Sequence, residues 1–351
     1  MVRDGDFVFN KGNSLKYPQG CVYQLQGWGQ VAAPNVFICF RLKKGYSDCF
    51  FQQCFEQNQH GKQLKRHITS GARSNGLLNI SKETFFSVEI LAPPLAEQQK
   101  IAACLRSLDE LIAAQAQKVE ALKTHKKGLM QQLFPRKGET QPRLRFPEFQ
   151  NSGEWEATTL GEYFCPIRNG FVGTATPYYT SSGGVPYLQG KNVKGGRIDA
   201  GNLVFITPEF HVRQKKSHLK TGNILMVQSG HVGECAVVGA DYEGCNCHAL
   251  VILSPSRKLN SEFFVHYFYA PIGELAIFQI TTGNTIKHIL ASELKSLPVL
   301  VPNPAEQQCI ASCLSKLDAL TIAENQKLEA LKTHKKGLMQ KIFPALGLDD
   351  P

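Results

Sequence analysis

The chain has 351 residues, 42% hydrophobic and 19% charged, enough for about two domains with buried cores. Its net charge of +10 and pI of about 9.0 favour an anionic partner, with nucleic acid first among the candidates. No apolar run approaches the ~18–20 residues of a membrane span. The start, MVRDGDFVFN, has no basic-then-apolar signal pattern, and eleven scattered cysteines fit free thiols in a reducing cytoplasm better than a disulfide scaffold.

Residues 1–92 read as the C-terminal part of a β-rich reader domain. They lie 209 positions before a longer segment that they partly match, with Asn75 falling on Asn284, Ile80 on Ile289 and Ile90 on Val299. Asp4-Gly5-Asp6 falls near the level of Gly222-Asn223, and a counterpart of roughly Trp155–Glu209 is expected to be absent. The expectation is therefore a shortened first domain of low stability, completed by a neighbouring polypeptide or belonging to a longer gene.

A long helix follows over 93–135, and the same helix is written again over 302–345. Glu97–Pro135 and Glu306–Pro344 align without a gap and share 27 of 39 positions, including the unbroken run Glu120–Gln131. Apolar residues recur at alternating spacings of four and three, from Ile101 to Leu133 and from Ile310 to Ile342. That 3.5-residue period predicts a coiled-coil seam. It is interrupted at matching places by Gln115/Glu324 and Lys126/Lys335, which set register or face another partner. Asn303 with Pro304 and Glu306 has the spacing of a helix start, and Phe134-Pro135 and Phe343-Pro344 supply stops. Two such helices in one chain most simply pack on each other, antiparallel if the halves are related by a pseudo-two-fold axis.

Between the helices, 136–152 reads as a polar linker and 153–301 as a complete domain. Its short alternating runs, such as Asn202–Thr207 and Cys235–Val238, predict strands; frequent Gly-containing turns separate them; and Glu262–Ile280 predicts a helix. Cys245-Asn246-Cys247-His248 lacks the second ligand pair of a structural zinc site and reads as a strand-end turn, so no metal is expected. Residues 346–351 form a short tail. The fold class is mixed α/β: two β-rich domains, the first truncated, separated by two long antiparallel helices.

No catalytic constellation stands out. There is no G-x-x-x-x-G-K-[ST] loop for a nucleotide and no Gly-rich strand-to-helix turn for S-adenosylmethionine. Asn303-Pro304-Ala305-Glu306 matches an N-P-P-[YF] methyltransferase motif only superficially. No catalytic residue and no cofactor are expected.

Several motifs are similar to those of the specificity subunits of type I restriction-modification enzymes. P-x-x-x-E-Q-x-x-I-A opens both helices, at Pro93–Ala102 and Pro302–Ala311, and L-K-x-x-K-K-G-L-M-Q-x-[LI]-F-P closes both, from Leu122 and Leu331. PRLRFPEF at Pro142–Phe149 precedes W-x-x-x-x-L-G at Trp155–Gly161, and VPYLQGKNV at Val185–Val193 and TGNILMVQSGHVGECAVV at Thr221–Val238 follow. The resemblance spans essentially the whole chain. It implies a cytoplasmic, non-catalytic subunit that reads a bipartite double-stranded DNA target. Two modification (methyltransferase) subunits and restriction (endonuclease/translocase) subunits would then carry out adenine methylation and cleavage. The alternatives are a coiled-coil assembly protein or a truncated, non-functional specificity subunit.

Base edges are read by Arg, Lys, Asn and Gln, while phosphates take cations. The candidate DNA contacts are Lys191 and Asn192 in a Gly-flanked loop, the stretch Arg213, Lys215 and Lys216, the loop Gln228, Ser229 and His231, and Asn284 with Lys287. Their counterparts in the first half are Lys11, Arg73 and Asn75. The identical helical run offers equivalent sites to two partner subunits through Glu120, Leu122, Lys123 and Lys127 in one copy and Glu329, Leu331, Lys332 and Lys336 in the other.

Overall fold

The computed structural model describes residues 1–68, 77–257 and 259–343. The chain forms two compact units, Met1–Val119 with Glu324–Pro351 and Glu120–Ala323. Both divide within the long helices rather than at the linker.

In the first unit, β1 (Val2–Arg3) pairs with β4 (Gln30–Val31), and β2 (Phe7–Asn10) lies between β3 (Cys21–Gln24) and β5 (Phe37–Phe40) in an antiparallel sheet. Helices α1 (Asp48–Glu56), α2 (Gln59–Leu64) and α3 (Lys82–Phe86) cover it, and α4 (Leu95–Leu133) begins there. The FVF of β2 is buried, and its rings pack with Phe50, Phe55 and Phe85 around Leu105 of α4 and Met339 and Phe343 of α10 (Pro304–Ile342).

In the second unit, β6 (Glu156–Thr159) leads through α5 (Leu160–Tyr163) into β7 (Phe164–Asn169). Strands β8 (Val185–Leu188), β9 (Val193–Lys194), β10 (Arg197–Ile198) and β11 (Val204–Ile206) come next, then α6 (Pro208–Arg213). After them run β12 (Ile224–Val227), β13 (Cys235–Val237), β14 (Asn246–Cys247) and β15 (Leu250–Pro255), followed by α7 (Ser261–Tyr269), α8 (Pro271–Ile280), α9 (Ala291–Lys295) and β16 (Pro298–Val301). The central sheet has the order β13-β12-β15-β7, all antiparallel, with β12 wholly buried as a continuous apolar run demands. β8 pairs with β11 and β14, and β6 pairs with β16.

The single helix expected over Glu262–Ile280 is two. Pro271 lacks a backbone N–H and restricts the residue before it, so α7 stops at Tyr269 and Pro271 opens α8. The segment read as a linker is also packed. The Arg145 guanidinium meets the Glu306 carboxylate through two bonds of 2.9 and 2.6 Å, with side chains only 6% and 1% exposed. A Pro- and Arg-rich composition concealed an internal ion pair.

The seam residues of α4 and α10 all lie out of solvent to some degree, as the 3.5-residue period requires. The helices run antiparallel within each unit. In the first, Lys335 meets Asp109 at 2.5 Å, and Gln115 donates to the backbone carbonyl and carboxylate of Glu324 at 2.8 and 2.7 Å. In the second, Lys126 meets Asp318 at 2.6 Å. By the repeat, Lys126 corresponds to Lys335 and Asp318 to Asp109, so one ion pair is made twice. Gln115 and Glu324 are each other's counterparts. The polar interruptions thus face the opposite helix and fix register.

The units share a packing pattern that explains the E-Q motif. Gln98 accepts from the Ser47 amide at 2.9 Å and donates to the Pro93 carbonyl at 2.7 Å, while Gln307 accepts from the Asn260 amide at 3.2 Å and donates to the Pro302 carbonyl at 3.0 Å. Ser47 and Asn260 are the N-caps of α1 and α7. Phe343 then meets Phe50 at 5.4 Å, and Phe134 meets Phe263 at 5.6 Å. Phe50 is thereby level with Phe263, and Phe7 of β2 with Ile224 of β12. The constant 209-residue spacing fails toward the N-terminus because the intervening loops differ in length.

Candidate nucleic-acid interface

Strand β12 ends at Val227, and the loop after it carries Gln228, Ser229 and His231. The segment bearing Asn284 and Lys287 folds onto this loop. Gly230 N–H donates to the Lys287 carbonyl at 3.2 Å, Ile289 N–H donates to the Gln228 carbonyl at 2.9 Å, and Ser229 bridges to His288. Gly283, at φ 93°, turns that segment; a Cβ there would come 2.2 Å from the Ile286 carbonyl oxygen, so only glycine fits. Ser229, His231, Asn284 and Lys287 are all exposed. Two of the three loops picked out from sequence are therefore one surface.

The Lys191–Asn192 loop divides. Lys191 is exposed, but Asn192 is fully buried. Its carbonyl accepts from Gln189 N–H at 3.0 Å, and its amide donates to the carbonyls of Asp199 and Gly201 at 3.0 and 3.3 Å. Asn192 holds its own loop, as Asn side chains do when they bond nearby backbone, and presents no free group to DNA.

Sequence reasoning missed Lys194 and Arg197. They face each other across the β9–β10 hairpin, both exposed, around the Gly195-Gly196 turn, whose φ values of 57° and 82° explain the glycine pair. Glu234 accepts from Gly195 N–H at 2.6 Å, and the Tyr269 hydroxyl donates to Glu234 at 2.7 Å while accepting from Gly196 N–H at 3.0 Å. That grip ties the hairpin to the loop after β12, and burial pushes the Tyr269 phenol well above its ordinary range, so it stays a neutral donor. A cavity of about 400 Å³ lies beside it, lined by His231, Glu234, Tyr269 and Lys287 among others. K-G-G-R, a glycine turn flanked by cations, was the signal available in the sequence.

The basic stretch Arg213, Lys215 and Lys216 lies elsewhere. Arg168 donates to the Lys216 carbonyl at 2.8 Å and to Ser254 Oγ at 2.5 Å, and Ser254 is also bonded by Asn223, the residue before β12. The stretch thus stands at the opposite end of β12 from the loop pair. All three cations are exposed, and the Arg213 guanidinium sits 5.3 Å from the Tyr178 ring centre.

In the first unit, Lys11 is half-buried and its ammonium donates to the Ile80 carbonyl at 3.1 Å, a bond that holds the fold. Arg73 and Asn75 lie outside the described residues. Cys247 is buried and its thiol is pushed up to about 12 by burial, while His248 is bonded to the Tyr187 hydroxyl at 3.1 Å.

On the long helices, Leu122 and Leu331 are half-buried in the seam. Glu120, Lys123, Lys127, Glu329, Lys332 and Lys336 are exposed, with Glu120–Lys123 at 3.6 Å and Glu329–Lys332 at 2.8 Å. No helix among the described residues is long and apolar enough to cross a membrane.

The family model for the type I restriction modification DNA specificity domain matches residues 29–124 and 152–333. The chain is 26% identical over 342 residues to the MjaX specificity subunit of a type I restriction enzyme from Methanocaldococcus jannaschii, covering 97% of this chain and 77% of that one. Against the MjaVIII specificity subunit of the same organism identity is 23%, covering 79% and 66%. Against the EcoBI specificity subunit of Escherichia coli it is 21%, covering 79% and 62%. The fold is shared with the type I restriction-modification S subunit from M. genitalium, at a TM-score of 0.56 and 15% identity over 98% of this chain and 84% of that one. It is shared also with a structure from work on assembly and conformational transition of the type I system, at a TM-score of 0.61 and 20% identity over 97% and 82%. With both halves and both long helices matched by one family model, the chain belongs to the type I restriction modification DNA specificity domain family.

Proposed function

We propose that the chain is a non-catalytic specificity subunit that reads one part of a bipartite double-stranded DNA target with its second unit. The paired loops after β12 and before Ile289 carry this reading. They present Ser229, His231, Asn284 and Lys287 on one surface beside the Lys194–Arg197 hairpin, with Gln228 half-exposed at its base. Amide and imidazole groups suit base edges, and the lysines and arginine suit phosphates. Lys191 extends the same phosphate-binding function. Arg213, Lys215 and Lys216 contact backbone away from the reading loops.

The outward faces of the identical helical runs bind equivalent modification subunits. Within Glu120–Gln131 the seam accounts for Leu122, Lys126, Leu129 and Met130. Packing gives no reason for the identity of exposed Thr124, His125, Lys127 and Gln131, or of their counterparts. A partner that meets both copies does. The modification subunits then bring adenine methylation, restriction subunits bring cleavage, and the assembly works in the cytoplasm. Co-expression with a modification subunit from the same system, followed by pull-down, tests the assembly. Stable association that Lys127→Glu with Lys336→Glu abolishes is expected; association unchanged by that double reversal contradicts the assignment of the face.

A further inference from the structure

Asn284-Thr285-Ile286-Lys287 of the reading surface has a near copy in the first unit, Asn13-Ser14-Leu15-Lys16. The copy is not at the 209-residue repeat, which sets Asn75 against Asn284. It lies on the other half of the loop pair. β2 is level with β12, each the middle strand of its sheet, and α3 begins 209 residues before α9. In each unit the loop leaving the strand is bonded to the segment entering the short helix: Ile289 N–H donates to the Gln228 carbonyl at 2.9 Å, and Leu78 N–H donates to the Lys11 carbonyl at 2.8 Å. The second unit carries the four residues on the segment before its helix, and the first carries them on the loop after its strand. Within each unit they stand at the same end of the middle strand.

The loop after β2 is fastened along its length. Asn10 Oδ1 accepts from Gly12 N–H at 2.8 Å, the Lys11 ammonium donates to the Ile80 carbonyl at 3.1 Å, and Tyr17 N–H donates to the Asn13 carbonyl at 2.9 Å. Gly20, at φ 77°, lies so close to the Phe9 ring that a Cβ has no room. Ser14 is buried, while Asn13, Leu15 and Lys16 face solvent, Leu15 being 88% exposed. The Lys16 ammonium sits 5.3 Å from the Tyr17 ring centre. Ile286, 57% exposed, stands between Asn284 and Lys287 on a loop closed by two Thr282–His288 backbone bonds of 2.9 Å. Each unit thus holds a large aliphatic side chain in water between an asparagine and a lysine, a cost that an apolar partner removes. The segments that carry them are cationic: residues 7–47 contain five Lys or Arg and no Asp or Glu, and residues 275–292 contain Lys287 and no Asp or Glu. Such segments admit a polyanion, and the apolar group that double-stranded DNA offers at its base edges is the 5-methyl of thymine.

We propose that Asn13, Leu15 and Lys16 form a second DNA-reading tip, on the first unit, and that Leu15 and Ile286 each seat on the 5-methyl group of a thymine in the major groove. Each asparagine reads an adenine edge beside that thymine, and each lysine holds a phosphate. The inference rests on the DNA reading proposed above and adds to it an A·T requirement at one place in each part of the target.

The test uses the chain co-expressed with its modification subunit in a host lacking other methylation. The methylation map of the wild-type complex gives the bipartite motif, and duplexes of that motif then carry deoxyuridine in place of one thymine at a time, which removes only the methyl group. One position in each part of the motif should weaken binding of the wild-type complex about fourfold, the effect of returning one methyl group to water. Leu15→Ala should lose that discrimination in one part and Ile286→Ala in the other, with urea melts of both variants unchanged because both side chains lie in solvent. A defined motif whose deoxyuridine duplexes all bind like the thymine duplex overturns this inference and leaves the DNA reading standing. Discrimination that survives both substitutions, or two variants that alter the same part of the motif, does the same. A complex that methylates no defined motif overturns both.

Discussion

Residues of one chemical type divide here by where the backbone puts them. Asn192 and Asn284 look alike in sequence, each next to glycine and a cation, but one is buried and saturated and the other exposed. Asn192→Ala strands the carbonyls of Asp199 and Gly201 and the Gln189 amide, so it should destabilise the second unit by about 2 kcal/mol in urea melts. Lys287→Ala should leave stability unchanged and lower DNA affinity, with the slope of log affinity against log salt shallower by about one. Unchanged affinity for Lys287→Ala at low salt would remove this loop from the interface.

Two buried histidines make a pH prediction. Burial pushes His60 down to about 4, and burial with the nearby Lys126 charge does the same for His266. Each is neutral in the folded chain at pH values where the unfolded chain, at the ordinary 6.5, is already protonated. Stability is therefore full above about pH 6.5, falls as the pH drops toward 4, and levels off below. Between pH 7 and 5 each should cost about 2 kcal/mol. His266→Gln should remove its share from the second unit's acid sensitivity, as read by urea melts at the two pH values.

At the scale of elements, the long helices were the most legible part of the sequence. The repeated 3.5-residue period set both seams, and the E-Q motif marked where each helix meets its domain. The meaning of the polar interruptions was not legible, because an ion pair such as Lys126–Asp318 joins residues far apart in the chain. Lys126→Ala should destabilise the second unit by about 1 kcal/mol, with Lys335→Ala costing the first unit less because Asp109 is 45% exposed. Lys126→Asp with Asp318→Lys should recover most of the loss suffered by either change alone. Strand pairing makes a second contrast. Amides of β16, paired with β6, should exchange far more slowly than those of Ile90–Ala92, which form no strand among the described residues, whereas the Glu89 amide is held by Gln63; equal rates at Ile90–Ala92 would contradict this difference in pairing.

At the scale of the whole molecule, the chain uses one helix design twice and carries two units built on the same core pattern. The sequence leads to the expectation of a shortened first domain, because the counterpart of roughly Trp155–Glu209 has no match in residues 1–92. The equivalence of the two cores was not legible: Phe50 and Phe263 sit in helices α1 and α7, which follow loops of different length, and the N-caps Ser47 and Asn260 with the Phe343 and Phe134 ring contacts reveal it. Likewise K-G-G-R reads as a turn in the sequence, and the structure shows Glu234 and Tyr269 tying it to the loop after β12.

The most direct test of the central claim is the methylation pattern the chain dictates. Co-expressed with its modification subunit in a host lacking other methylation, it should place methyl groups on adenines within one bipartite motif, and replacing Gln228, His231 and Asn284 together by alanine should abolish or change one part of that motif while leaving the complex assembled. An assembled complex that methylates no defined motif, or one whose motif is indifferent to the triple change, would contradict the account.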